Sequence, residues 1–241
     1  MLRSHGIIRE NIVEIIPDVY QITFRAANAF LILGDELALV DTGYRACAPR
    51  IAEFVRTLGR RPEEIRLIIL THNHFDHAGG VHDLKVTTGA KVACHRADII
   101  NESGSLPYPQ SVQKTLELRL LSSLRSKMGV GPADVDIPLN GGEVLAPLGG
   151  LKVIHTPGHT PGSICLLSRQ RRLLFAGDTL SNRGQTLRFT RKSVSADPVL
   201  QRASIRALAG EDFDGICFGH RLPILHGAKP RLLDLVAKTG D

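Results

Sequence analysis

Three imidazoles and a carboxylate fall within six positions of the stretch Thr71-His72-Asn73-His74-Phe75-Asp76-His77-Ala78-Gly79-Gly80. Imidazole nitrogen and carboxylate oxygen without thiolate form a donor set for Zn²⁺, Fe or Mn. In an extended segment His72 and His74 point the same way, because side chains alternate with period two. Asp76 and His77 are neighbours and must diverge, which suits a second ion better than the first. The competing reading is a polar loop whose histidines face solvent. Four donors crowded at the end of an apolar run argue against it.

The elements that must position these donors are short strands. Ile65–Leu70 is β-branched and nearly uncharged, so it reads as a buried strand delivering the donor stretch at its end. Three distant runs end in the same way. Leu151–Ile154 leads into His155-Thr156-Pro157-Gly158-His159, Leu173–Gly177 into Asp178, and Gly215–Gly219 into His220. Two of these donors directly follow a glycine, which lets backbones approach closely. Five histidines and two aspartates are thus expected along one edge of the fold. Leu37–Val40 ends in Asp41-Thr42-Gly43, a further carboxylate at a strand end.

Around them the chain alternates strands and helices. Strands are expected at Ile12–Ile16, Val19–Phe24, Ala29–Leu33, Lys91–Cys94, Glu143–Leu145 and Ile164–Leu167. Helices are expected at Pro49–Leu58, Val81–Thr88, Pro198–Leu208 and near Arg231–Lys238. Two strand-rich halves interleaved with helices imply an α/β sandwich with sheets inside and helices outside. A single domain over 1–241 is expected, with 103–132 inserted as a helical lid. Within it Val112–Met128 is leucine-rich, and Tyr108 is a candidate for a substrate wall. The leucine face suits the metal-bearing edge or a homodimer interface.

Composition excludes several classes. No apolar stretch approaches a membrane span, and charged residues interrupt the N-terminal pattern, so neither membrane insertion nor a signal peptide is expected. Net charge is +6, yet Trp is absent and aromatics are 5%, leaving little for base stacking; nucleic acid is not an expected partner. Cys47, Cys94, Cys165 and Cys217 lack any C-x-x-C spacing and read as packed, reduced thiols of a cytoplasmic protein. His82 and His95 read as surface residues, His155 as structural, and His226 as a candidate neighbour of the last donor.

His72-x-His74-x-Asp76-His77, Thr156-Pro157-Gly158-His159-Thr160-Pro161-Gly162-Ser163, Gly177-Asp178-Thr179 and Gly219-His220 together resemble the metallo-β-lactamase superfamily. They are most similar to its glyoxalase II-like (hydroxyacylglutathione hydrolase-like) branch. The resemblance runs from about Asp41 to His220. It implies a four-layer αββα sandwich with two mixed β-sheets. It also implies two divalent ions, Zn²⁺ foremost with Fe or Mn as alternatives. His72, His74 and His159 would hold one ion and Asp76, His77 and His220 the other. Asp178 would bridge, Asp76 and Asp178 would be the catalytic carboxylates, and Asp41 would orient ligands. The implied activity is hydrolysis of a small thioester, ester or lactone by a hydroxide bridging the ions.

The sequence departs from that branch in two places. The helical C-terminal domain that supplies glutathione contacts is not expected in the roughly twenty residues after His220. Arg221 stands where Gly-His-Gly is common and, with Arg183, Arg188, Arg191 and Lys192, could form a cationic rim for an anionic small-molecule substrate; a solvated charged loop is the alternative. Asp178 disfavours a β-lactamase, since the branches with that activity typically lack it. A phosphodiesterase or nuclease, a persulfide-dioxygenase-like mononuclear iron enzyme and a non-catalytic binding module are the competing functions.

Overall fold

The structure, a computed structural model, describes residues 11–25, 27–99 and 135–238. The expected insertion at 103–132, with Val112–Met128 and Tyr108, lies outside the described residues.

The first sheet begins as an antiparallel meander: β1 (Asn11–Ile16), β2 (Val19–Phe24), β3 (Ala27–Ile32) and β4 (Leu37–Val40). Helix α1 (Ala48–Thr57) then crosses over to β5 (Ile65–Ile69), which pairs parallel to β4. The one-turn helix α2 (Phe75–Ala78) and α3 (Val81–Thr88) lead to β6 (Lys91–His95), also parallel, and β7 (Ile137–Leu139) closes the seven-stranded sheet in sequence order. Pro138 is tolerated in β7 because this strand is the sheet edge.

The second sheet is also mixed. Its strands β8 (Val144–Leu145), β9 (Leu151–His155), β10 (Ile164–Ser168) and β11 (Leu173–Phe175) pair antiparallel, and β14 (Gly215–Cys217) joins β11 in parallel. A separate hairpin of β12 (Leu180–Arg183) and β13 (Thr186–Phe189) follows Asp178. Helices α4 (Pro198–Leu208) and α5 (Ala228–Ala237) complete the described elements. Asp197 caps α4, its side chain accepting from the N–H groups of Val199 at 3.0 Å and Leu200 at 2.9 Å.

Strand alternation sorts the core into three apolar layers. Leu39 and Ile68 face Ile51, Val55 and Leu84 of the helices on the outer side of the first sheet. Their neighbours Val40 and Ile69 face the opposite way, onto Val153, Leu166 and Phe175 of the second sheet. Leu167, Leu174 and Ile216 then pack outward on Ile205, Leu208 and Leu232 of α4 and α5. Helix, sheet, sheet and helix therefore stack in four layers, which is the αββα sandwich expected. Between the sheets Phe30 and Phe175 meet edge to face, with ring centroids 5.2 Å apart.

Candidate metal centre

The donors converge where strands of both sheets end. His72 and Asn73 follow β5, and His74 is the extended residue capping α2, which carries Asp76 and His77. His159 lies in the β9–β10 turn, Asp178 follows β11, and His220 follows β14. Among the described residues, three groups of donor atoms could hold an ion, each within 4.8 Å: His72, His74 and His159; His72, His77 and Asp178; and Asp76, His77 and His220. All seven residues expected from the sequence are thus brought together.

Their spacing fits a cation better than it fits hydrogen bonding. Nδ1 of His74 lies 3.0 Å from Nε2 of His72 and 3.0 Å from Nε2 of His159. One ring proton shared between two acceptors makes only two weak bonds, whereas nitrogens around a tetrahedral ion bound at ~2.0–2.1 Å sit about 3.3 Å apart. Nε2 of His77 is buried without a hydrogen-bond partner, 3.8 Å from Asp76 and 3.7 Å from Asp178. Asp178 stands between the outer groups: one oxygen is 3.1 Å from Nε2 of His220 and 3.5 Å from Nε2 of His159, and the other faces His77. Gly219 makes this approach possible, since a Cβ there would collide with the Asp178 carboxylate and with the His77 ring at 2.6 Å.

Protonation follows from these neighbours. Burial, then the other imidazoles, hold His72 well below the ordinary histidine range, and burial likewise lowers His159. Burial alone would lower His77, but Asp178, Asp41 and Asp76 outweigh it and raise His77 to about 9. For Asp178, burial is outweighed by His77, His220 and His159, which hold its carboxyl far below the usual range. His72, His77 and His159 are buried, whereas His74, Asp76 and His220 are only half-buried, so the cluster opens to solvent on one side. An open side is what distinguishes a catalytic ion site from a closed structural one.

Asp41 organises two of the imidazoles. It is 1% exposed and its φ is +58°, a conformation Asp tolerates better than most residues. Its Oδ1 accepts from the Thr71 N–H at 2.8 Å, and its Oδ2 accepts from the Thr71 hydroxyl at 2.8 Å and from Nδ1 of His77 at 3.0 Å. Thr71 in turn accepts from Nδ1 of His72 at 3.0 Å. Both rings therefore hold a proton on Nδ1, which leaves Nε2 as the nitrogen that faces the cluster and would bind an ion.

Several supporting residues carry no signal in the linear sequence. Asn28, fully buried on β3, donates from Nδ2 to the carbonyls of Phe218 at 3.0 Å and Arg221 at 2.7 Å, bracketing His220. Asp98 joins the His72–His74 loop to the His159 loop. Burial holds it above the usual carboxylate range against the pull of Thr160, Asn73 and Gly162. Tyr44 packs on Phe75 with ring centroids 5.5 Å apart, and its phenol is pushed up by burial and then by the charge of Asp76.

Three histidines are now placed. His95 is not at the surface: it is 5% exposed and stacks on His155, with ring centroids 3.9 Å apart at 14°. The last residue of β6 turns this ring inward to a neighbour that the linear sequence holds sixty positions away. His82 is exposed, and His226 is exposed and pairs with Asp214 at 3.1 Å.

The match to known families decides the lineage. The model of the metallo-beta-lactamase superfamily matches residues 22–220. The chain belongs to the metallo-beta-lactamase superfamily. Superfamily relatives include a hydroxyacylglutathione hydrolase of Methylobacterium sp. (strain 4-46), 29% identical over 80% of this chain and 65% of that one. Another is the acyl-coenzyme A thioesterase MBLAC2 of Homo sapiens, 30% identical over 64% of this chain and 58% of that one. The chain thus spans less than two thirds of the length of either. Among solved structures, a metallo-beta-lactamase family protein from Thermus thermophilus superposes with a TM-score of 0.69 at 25% identity, covering 93% of this chain and 80% of that one. Membership implies divalent metal binding and indicates hydrolase chemistry, and the donors described fit such ions.

The four cysteines are free and buried. Among the described residues, no helix is long and apolar enough to cross a membrane.

Proposed function

We propose that this protein hydrolyses a small thioester, ester or lactone with two divalent ions, Zn²⁺ foremost. His72, His74 and His159 hold one, Asp76, His77 and His220 the other, and Asp178 lies between them. The observation that carries this reading is the position of Asp178, whose two oxygens face His77 on one side and His159 and His220 on the other. When bound, such a pair polarises a carbonyl and lowers the pKa of a water to roughly 7.

The side chains do the remainder. Asp41 keeps Nε2 of His72 and of His77 turned inward, so no ring rotates as charge develops. Asp76, half-buried and 3.6 Å from Nε2 of His220, is the carboxylate nearest the open side. It is placed to take a proton from the attacking water and return it to the leaving thiolate or alkoxide. Water adds to the carbonyl carbon, the C–S or C–O bond breaks, and the acid and the protonated leaving group depart.

An anionic substituent suits the rim. The segment after β13 runs from Asp178 to His159: the Thr190 hydroxyl donates to the Asp178 carbonyl at 2.7 Å, and the Ala196 N–H donates to the His159 carbonyl at 3.0 Å. It carries Arg191 and Lys192, both exposed.

The test combines elemental analysis with a substrate panel of acyl-glutathione and acyl-coenzyme A thioesters, aryl esters, lactones and a phosphodiester. The expected outcome is about two ions per chain and turnover of carbonyl substrates only. One ion per chain, or turnover of the phosphodiester alone, defeats the proposal.

A further inference from the structure

His72, His74 and His159 come from different sheets, yet their nitrogens must meet within a few tenths of an ångström of a common centre. His72 is oriented through Thr71, as described. His159 has no comparable partner: its Nδ1 is buried without a hydrogen bond. Its ring is therefore placed by the loop that bears it, and what fixes that loop relative to His72 and His74 becomes the deciding question.

Asp98 answers it. This residue, 2% exposed, sits in the turn after β6 and belongs to neither donor loop. Its Oδ2 accepts from the N–H of Asn73 at 3.0 Å, and its backbone carbonyl accepts from the Asn73 side-chain amide at 2.6 Å. Asn73 is the residue between His72 and His74. The same Oδ2 accepts from the hydroxyl of Thr160 at 2.6 Å, and Oδ1 accepts from the N–H of Gly162 at 2.6 Å. Thr160 is the residue after His159. Because the Thr160 hydroxyl gives its proton to Asp98, the Ser163 hydroxyl donates to it at 2.7 Å while accepting the Thr160 N–H at 2.9 Å. The fit is tight as well as polar, since a Cβ at Gly162 would lie 2.6 Å from Cγ of Asp98 and 2.7 Å from its backbone nitrogen.

One carboxylate thus clamps the residues flanking all three donors of one group. None of these partners flanks Asp76, His77 or His220, whose supports are Asp41 and Asn28. We infer that Asp98 is a positioning residue selective for the ion held by His72, His74 and His159, setting the affinity of that site while leaving the other intact. The inference rests on the two-ion reading above. Partners of this kind are typically worth about 10–100-fold in metal affinity.

The experiment is a titration of the metal-free protein with Zn²⁺, read by calorimetry against a competing chelator. A parallel titration with Co²⁺ is read by visible absorption, which reports the geometry of each filled site. Asp98→Asn keeps the volume but cannot accept from Asn73, Thr160 and Gly162 together. It is expected to weaken one of the two ions by about 10–100-fold and to change the absorption of that site alone. Should Asp98→Asn fail to fold, Thr160→Val removes one hydroxyl at constant shape and is expected to shift the same site, while Thr160→Ser, which keeps the donor, restores it. Equal weakening of both ions, in step with a lower melting temperature of the metal-free protein, would show a general structural role and overturn the inference. So would two unchanged ions in Asp98→Asn and Thr160→Val. A wild-type chain that takes up fewer than two Zn²⁺ ions overturns the two-ion reading and the inference with it.

Discussion

Oδ2 of Asp41 lies 3.0 Å from Nδ1 of His77, both side chains are essentially sealed from solvent, and the opposite nitrogen of the same ring has no hydrogen-bond partner. One carboxylate thereby decides which nitrogen of His77 is turned toward the cluster to meet an ion. The same oxygen reaches His72 through the Thr71 hydroxyl, so a single residue at the end of β4 prepares one donor for each half of the centre.

Asp41→Asn tests that arrangement cleanly. Asn tolerates the left-handed backbone at this position, so the substitution leaves the turn unstrained where most other residues would not. Its amide can accept at only one of the two oxygen positions. Either Thr71 loses its acceptor or His77 is driven to the other tautomer, with a proton on the nitrogen that faces the cluster. Metal affinity is expected to fall about 10–100-fold, and nitrogen-15 NMR of the histidine rings should show a changed tautomer for His77. Unchanged affinity and tautomer would mean that the ions orient the ring themselves.

The second prediction concerns acid. Burial, then the adjacent His155, hold His95 below the ordinary histidine value of about 6.5. A group with a depressed folded pKa takes its proton first in the unfolded chain. Its contribution is therefore complete above about pH 6.5 and is lost as the pH falls from there toward the folded value. Urea unfolding at about pH 7.5 and about pH 5.5 should show a smaller acid loss for His95→Gln than for the wild type. Equal losses would place the acid sensitivity elsewhere.

How far the fold could be read in advance depended on the kind of signal. Strands such as Val19–Phe24 and helices such as Val81–Thr88 and Pro198–Leu208 carry their apolar pattern locally, and the structure has them at those limits. The β12–β13 hairpin does not: Asn182 shares the buried face of β12 with Leu180, and the exposed positions hold Arg183 and Arg188, so the pattern reads as a charged loop. β7 hides behind Pro138 in a three-residue edge strand. The donors themselves were legible because the short stretches that carry them each follow an apolar run. Their supports were not. Asp98 acts on Asn73, 25 positions away, and on Thr160, 62 positions away, and Asn28 acts on Phe218 across 190. Nothing in the local sequence distinguishes a carboxylate or amide that clamps distant loops from one that faces water.

The last prediction separates water from a side chain as the nucleophile. If water attacks directly, no residue forms a covalent intermediate, and single turnover in ¹⁸O-water should place the label in the product acid at once. The cysteines are poor candidates for the role. All four are buried, burial pushes Cys165 up to about 11, and it pushes Cys94 and Cys217 further in the same direction. Thiolate is the reactive form, and such groups hold almost none at neutral pH. Cys94→Ala, Cys165→Ala and Cys217→Ala should therefore keep most of their turnover. Asp178→Asn preserves size but removes the charge that sits among His77, His159 and His220, so activity should fall by about 100-fold or more. Because that variant alone cannot tell lost metal from lost catalysis, the label experiment carries the decision. An acyl-enzyme trapped by acid quench, or an unlabelled acid in the first turnover, would show that a side chain attacks, and the assignment of the His72–His77 stretch to water activation would be wrong.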